Sequence, residues 1–206
     1  MKVAILGGTG KFGKGLALRL AKSNDLIIGS RDPSRAKAAA NSYSDICKKH
    51  YSSFSIKGDD NVSAADSANI VFFCLKLAPA LKVASSLNLK RQIAVSPIVD
   101  LDKKSPTSCA EKLARELGFR DRVVSALHAV PYKKLAKIER PVNCDVLVCG
   151  DNVSNSVEVC KVIEGMDVRA FYAGPLGLSV HLEGMAVALA SLAKQGKIKN
   201  PAIRIV

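Results

Sequence analysis

The chain has 206 residues, 48% hydrophobic and 24% charged, the size and balance of one ordinary globular domain. That balance excludes disorder and collagen-like order, and 31 Lys and Arg against 18 Asp and Glu leave a net charge of +13. The longest uninterrupted apolar runs, Ile70–Leu75 and Met185–Ala190, fall short of the ~20 residues of a bilayer helix, so no membrane association is expected.

Lys2–Leu6 reads as a strand, and glycines end it too soon for a signal-peptide core. The expected location is the cytoplasm. The strand runs into Gly7-Gly8-Thr9-Gly10-Lys11-Phe12-Gly13, in which Gly8, Gly10 and Gly13 form G-x-G-x-x-G. In that pattern Gly8 permits a tight turn, Gly10 lets the backbone approach a pyrophosphate, and Gly13 allows close helix–strand packing. The helix that follows, Phe12–Lys22, is amphipathic, with Phe12, Leu16 and Leu20 on one stripe. Its free N–H groups attract the anion.

Asp25–Ile28 is a second strand, and its end sets the cofactor type. NAD-binding folds place an acid there for the ribose 2′-hydroxyl. Here the string is Gly29-Ser30-Arg31-Asp32, with Arg35 one turn further on. A hydroxyl and guanidinium groups suit a 2′-phosphate, which a carboxylate would repel. NADP is therefore expected in preference to NAD. The competing reading gives the acid's role to Asp32 and leaves Arg31 on the surface.

Ser34–Lys49 follows as a helix opened by Asp32-Pro33, then a short strand over Ser53–Lys57. Ile70–Leu75 is a continuous apolar run, as in a parallel strand buried on both faces. Helix Ala80–Leu87, strand Gln92–Val95, helix Ser108–Leu117 and strand Arg122–Ala126 continue the alternation. Asp145–Cys149 is a strand, Ser154–Ile163 a helix and Val168–Tyr172 a strand. The last helix, about Leu178–Lys194, carries Leu178, Leu182, Met185, Leu189 and Leu192 at spacings of 4, 3, 4 and 3. That seam predicts a core or homodimer contact.

Alternating elements imply an α/β fold with helices on both faces of a parallel sheet. We expect a doubly wound Rossmann domain over residues 1–127. Residues 128–206 are expected to form a smaller C-terminal α/β elaboration that completes a ligand crevice and is not an independent domain. His128 stands at the carboxyl end of its strand, where open α/β sheets bind ligands, as does Ser96-Pro97-Ile98-Val99. A structural hydrogen-bonding role for His128 is the competing reading.

The six cysteines have no C-x-x-C spacing and no histidine placed to suggest a local zinc motif, which predicts reduced thiols and no metal site. The positive charge is spread at +8 over residues 1–100 and +5 over the remainder. With no tryptophan and 5% aromatics the chain has few stacking platforms, so small anionic ligands are expected as partners and nucleic acid is not.

Over essentially its whole length the chain resembles the archaeal F420H2:NADP oxidoreductases. The likeness rests on the glycine loop, the Lys14–Leu20 helix, Gly29-Ser30-Arg31, Val95-Ser96-Pro97, Val123–His128, Val148–Asp151 and Ala173–Leu176. By that resemblance Thr9, Gly10, Lys11 and Phe12 cradle the pyrophosphate, while Ser30, Arg31 and Arg35 hold the 2′-phosphate. Leu75, Leu77, Leu81, Leu101, Tyr132 and Pro201 are the implied further NADP contacts. Coenzyme F420, the deazaflavin co-substrate, is implied over Pro97, Ile98, Val99, His128, Ala129 and Val130. The reaction implied is hydride transfer between two coenzymes held face to face, which needs no side-chain nucleophile or metal.

Leu75-Lys76-Leu77 departs from the family's apolar-Pro-Trp string, and the loop after Ser96-Pro97 is shorter. Both changes bear on the acceptor. The alternatives are another acceptor for NADPH (a flavin, a ferric chelate or an imine) or a non-enzymatic NADP-binding regulatory module.

Overall fold

Strand β1 (Lys2–Leu6) lies inside an eight-stranded sheet, flanked by β2 (Asp25–Ser30) and β4 (Ile70–Phe73). The computed structural model describes residues 1–101, 105–196 and 198–206. With β3 (Ser55–Asp60), β5 (Ile93–Ser96), β6 (Val123–Ser125), β7 (Asp145–Gly150) and β8 (Arg169–Gly174), the order is β3-β2-β1-β4-β5-β6-β7-β8. The order reverses between β1 and β4, the switch point of a doubly wound sheet.

Every residue of β4 is buried, because alternate side chains enter different cores. Val3, Ile5, Ile70 and Phe72 join one cluster with helices α1 (Lys11–Leu20) and α2 (Pro33–Cys47). Ala4, Leu6, Val71 and Phe73 join the other, with α3 (Asn61–Asp66), α4 (Leu77–Ala84) and α5 (Cys109–Leu117). Burial on both faces is what turns these strands into continuous apolar runs.

Two short helices carry too few residues for a periodic signal, α3 and α6 (Tyr132–Leu135). The expected parallel pairing also fails at one place. Strand β7 pairs antiparallel to β6, at Val124↔Gly150 and Ser125↔Cys149. The chain between them reverses through α6 and makes no long crossover, so direction inverts. β8 then returns parallel to β7 through α7 (Val153–Glu164).

Arg19 on α1 fixes the reversal. Its side chain, 3% exposed, donates to the carbonyls of Leu135, Lys134, Lys137 and Arg140 at 2.6–3.1 Å. The C-terminal carbonyls of α6 are thereby satisfied by a cation, and burial lowers the Arg19 pKa.

The last helix, α8 (Ser179–Lys194), continues from a single 3-10 turn at Leu176–Leu178. Taken together, Leu176–Lys194 is long and apolar enough to cross a bilayer by length and composition, although its uninterrupted runs are short. Glu183 ties it to α5: fully buried, it accepts from Cys109 N at 2.7 Å, at the first turn of that helix. Of the predicted seam Leu182 is buried, while Leu178 and Leu192 are exposed.

Candidate functional site

Four strand ends and the helices that follow them enclose a groove of about 1160 Å³ at the carboxyl edge of the sheet. The glycine loop forms its floor. Gly7, at φ +70°, makes the turn there, one position ahead of the fingerprint that was expected to supply it. A Cβ on Gly13 would stand 2.7 Å from the Gly8 Cα, so strand-to-helix packing depends on that glycine. Gly10 differs: a Cβ there would meet only the Gly7 carbonyl, at 3.3 Å, and the loop is open above it. The Tyr43 hydroxyl donates to the Gly8 carbonyl at 3.0 Å and pins the turn from beneath.

Helix caps sort the groove's charges. Asp32 caps α2 by accepting from the Ser34 and Arg35 amides. Asp60 caps α3 through Val62 and Ser63, and the Ser63 hydroxyl and these amides hold its carboxyl below the ordinary range. Both acids in the groove are therefore turned onto their own helices. By contrast α1 and α4, which also start at the groove, have no side-chain cap. Their first amides remain available to an anion. Arg31 and Arg35 on one wall and Lys76 and Lys82 on the other supply the cations.

The groove brings together Thr9, Gly10, Ser30, Arg31, Arg35 and Leu75 from the sequence expectations. Gly8 and Gly13 are buried behind the loop. Lys11 and Phe12 begin α1; Phe12 packs on the core, and the Lys11 ammonium lies 6.0 Å from the Tyr132 ring. Leu77 and Leu81 are half-buried on α4, and Leu101 is exposed. Pro201 is half-buried in the C-terminal tail. Sequence reasoning missed Asp60, Asn61, Val62, Lys76 and Lys82, which line the same groove. Their signal was position alone: Asp60 ends β3, Asn61 and Val62 open the helix after it, and Lys76 and Lys82 lie at and beyond the start of α4.

On the other side of the switch point the expected acceptor residues separate. His128, Ala129 and Val130 line a small cavity of about 20 Å³ with Asp145, Leu182 and Ile203. His128 Nε2 lies 3.3 Å from the buried Ser125 Oγ. Leu127, beside it, has φ 71° although it is neither glycine nor asparagine, a strained conformation held by burial. Ile98 and Val130 are buried in the two cores, whereas Pro97 and Val99 remain half-exposed. Asp145 N donates to Ile203 O, and Asp145 accepts from Arg169 and from Ile205 N, which latches the tail over this region. No group of residues suited to a metal ion occurs among the described residues.

Residues 2–100 match the sequence model of a family described as NADP oxidoreductase, coenzyme F420-dependent. Over its whole length the chain is 36% identical to the F420-dependent NADP reductase of Methanocaldococcus jannaschii, covering 98% of that protein. The chain belongs to this family. The F420-dependent NADP reductase of Methanothermobacter marburgensis is 31% identical, again over 100% of this chain and 98% of the relative.

Among solved structures, a protein of Arthrobacter sp. FB24 superposes with a TM-score of 0.79 at 21% identity, covering 100% of this chain and 99% of that one. The Aspergillus terreus reductive aminase in complex with NADPH has a TM-score of 0.68 at 16% identity, over 95% of this chain and 62% of that one. These two share the fold.

Proposed function

We propose that this chain, as a member of the F420-dependent NADP oxidoreductases, catalyses hydride transfer between NADP(H) and coenzyme F420. One observation carries the NADP half. The groove's two carboxylates are engaged as helix caps, while two guanidinium groups and two uncapped helix N-termini face it. That is a site for a ligand with a pyrophosphate and a further phosphate.

In this reading Thr9, Gly10, Lys11 and Phe12 receive the pyrophosphate, and Gly8 and Gly13 shape the loop beneath it. Ser30, Arg31 and Arg35 hold the 2′-phosphate. Leu75, Leu77, Leu81, Leu101, Tyr132 and Pro201 complete the dinucleotide contacts. Pro97, Val99, His128 and Ala129 hold the deazaflavin, with Ile98 and Val130 supporting them from the core. His128 positions the acceptor; it is not required as an acid or base. When bound, the two coenzymes supply the redox chemistry themselves, at nicotinamide C4 and deazaflavin C5. The chain's part is to orient the rings and exclude water. Its charge of +13 draws anionic ligands in.

Residues 1–127 act as the dinucleotide domain and 128–206 as its acceptor-side elaboration. We place the protein in the cytoplasm, in keeping with six free cysteines. A homodimer would cover Leu178, Leu192, Phe171 and Tyr172, which α8 and the edge strand β8 leave exposed. A monomer in sedimentation at micromolar concentration would refute that assembly.

The function is tested by following NADPH oxidation by the purified chain with F420, a free flavin, a ferric chelate and an imine as acceptors. Turnover with F420 above the others is the expected result. Preference for another acceptor would overturn the F420 assignment, and tight NADPH binding without oxidation would point to a regulatory module.

A further inference from the structure

The cavity beside His128 is too small for a coenzyme ring. Its volume of about 20 Å³ has room for roughly one water, whereas small-molecule sites run to ~300–1,000 Å³. Most of its wall is built into the fold: the chain just after β6, the first residues of β7, and Leu182 and Met185 on α8. The remainder is one side chain, Ile203, on a segment without regular secondary structure.

That segment is held at one place. Asn200, at φ 54°, turns the chain ahead of Pro201, and Ala202 packs against the core. Beyond Ala202, Asp145 N donates to Ile203 O at 2.8 Å, Ile205 N donates to Asp145 Oδ2 at 2.6 Å, and the Arg169 guanidinium donates to Ile205 O. Residues 203–206 make no other hydrogen bond among the described residues. Ile205 is 41% exposed and Val206 wholly so, and little apolar burial adds to those bonds. Asp145 and Arg169 are register partners at the starts of β7 and β8 and pair with each other, so the anchor survives when the segment leaves it. Segments held by so few contacts are the first to open.

We infer that residues 203–206 are a strap that blocks the acceptor crevice in the free chain and swings out beyond Ala202 to admit the second ligand. This rests on the reading that His128 and Ala129 face the acceptor. Ile203 leaves with the strap, and the cavity opens to solvent beside α8. Pro201, on the fixed side of the hinge, keeps its place. Only the open form takes the acceptor, so the apparent dissociation constant is the intrinsic one divided by the open fraction. Loosening the latch therefore tightens acceptor binding.

The test compares the wild type with Ile205→Pro, which deletes one donor of the latch and leaves every charge in place. Exchange of the Asp145 amide, which donates to Ile203, reports strap opening and should be roughly 3- to 10-fold faster in the variant. Calorimetric titration should show F420 binding tightened by the same factor and NADPH binding unchanged. In the wild type, saturating F420 should speed exchange at the Ile205 amide. Arg169→Ala removes the bond to Ile205 O from the other side and should act in the same direction.

Equal F420 affinity in the wild type and Ile205→Pro, with faster Asp145 exchange in the variant, overturns the strap and leaves the F420 reading standing. Protection of the Ile205 amide by F420 also overturns it, because the segment would then close over the ligand. Unchanged Asp145 exchange in both variants denies the latch. If F420 does not bind but a free flavin binds more tightly to Ile205→Pro than to the wild type, the strap stands and the F420 assignment falls. Binding of neither to any of the three proteins overturns both.

Discussion

At the ends of β1, β2, β3 and β4 the backbone opens a groove of about 1160 Å³ beside two uncapped helices, whereas at the end of β6 the chain closes around His128 on a cavity of about 20 Å³. The first region is built largely by main chain. A glycine turn, helix N-termini and a reversal of strand order are set by the fold and vary little with side-chain identity. The second is assembled from side chains on β7, α8 and the C-terminal tail, and strapped down by Arg19 and the Asp145 latch. Exchanging a few residues there changes its shape and leaves the sheet intact. A fold of this kind can keep one cofactor while its second ligand varies, which is why the family assignment speaks more directly to NADP than to the form of the acceptor pocket.

The contrast can be broken most forcefully at Arg19. Arg19→Met removes all four bonds, leaving the Leu135 and Arg140 carbonyls without the donor they have here while Lys134 and Lys137 keep their backbone amides, and should cost about 3–4 kcal/mol of stability. Calorimetric melting should fall by roughly 10 °C. A loss under about 1 kcal/mol would mean that the reversal after β6 holds itself in place.

Next in size is the phosphate end. Arg31→Ala removes charge-assisted bonds of about 1.5–3 kcal/mol, so NADPH affinity should drop roughly 10- to 150-fold. NADH affinity should hardly change, and in the wild type added salt should weaken NADPH binding more than NADH binding. Equal losses for both coenzymes would reassign Arg31 to the pyrophosphate or the fold.

On the acceptor side His128→Ala should slow turnover about tenfold with the NADPH dissociation constant unchanged, as suits a positioning contact of ~1–1.5 kcal/mol. A loss beyond a thousandfold would make it an acid or base.

The smallest effect concerns the latch. The Arg169 guanidinium, against the penalty of burial, together with the Ile205 amide, holds the Asp145 pKa below its ordinary value. Its contribution to stability is therefore complete above an ordinary aspartate pKa of ~3.9 and is lost as pH falls through the lowered one. Hydrogen exchange at the Ile205 amide should accelerate in acid before exchange in β1 does. Simultaneous acceleration would deny the latch any independence.

Much of the dinucleotide end was legible because its signals are local. The Lys2–Leu6 strand, the glycine string and the stripe on α1 lie within twenty residues, and Asp32-Pro33 announced a capped helix. What escaped lies where pattern gives out. Edge strand β3 ends in Lys57-Gly58-Asp59-Asp60, a polar run that reads as a loop but pairs with β2 through Ser30↔Asp60. Ending the strand at Lys57 hid both α3 and Asn61. The direction of β7 was equally hidden, since alternation of side chains is the same for parallel and antiparallel neighbours. At Ile98 and Val130 the chain is irregular, and without a period nothing in the sequence separates a residue facing a crevice from one facing the core.

Helix α1 starts at the uncapped turn on the groove and carries Arg19 in its last turn, whose guanidinium reaches the carbonyls beyond β6. Gly15, midway along it, leaves so little room that a Cβ there would stand 2.7 Å from Leu135 on α6. One ten-residue rod thus bears on both the groove and the segment beyond β6. Were a dinucleotide bound at its N-terminal end to displace it, as the proposed function would allow, α6 and the chain beyond β6 would have to move with it. Thermodynamic reciprocity requires the second ligand to alter dinucleotide affinity by the same factor. The strength of that coupling would then be a property of this helix as much as of either site.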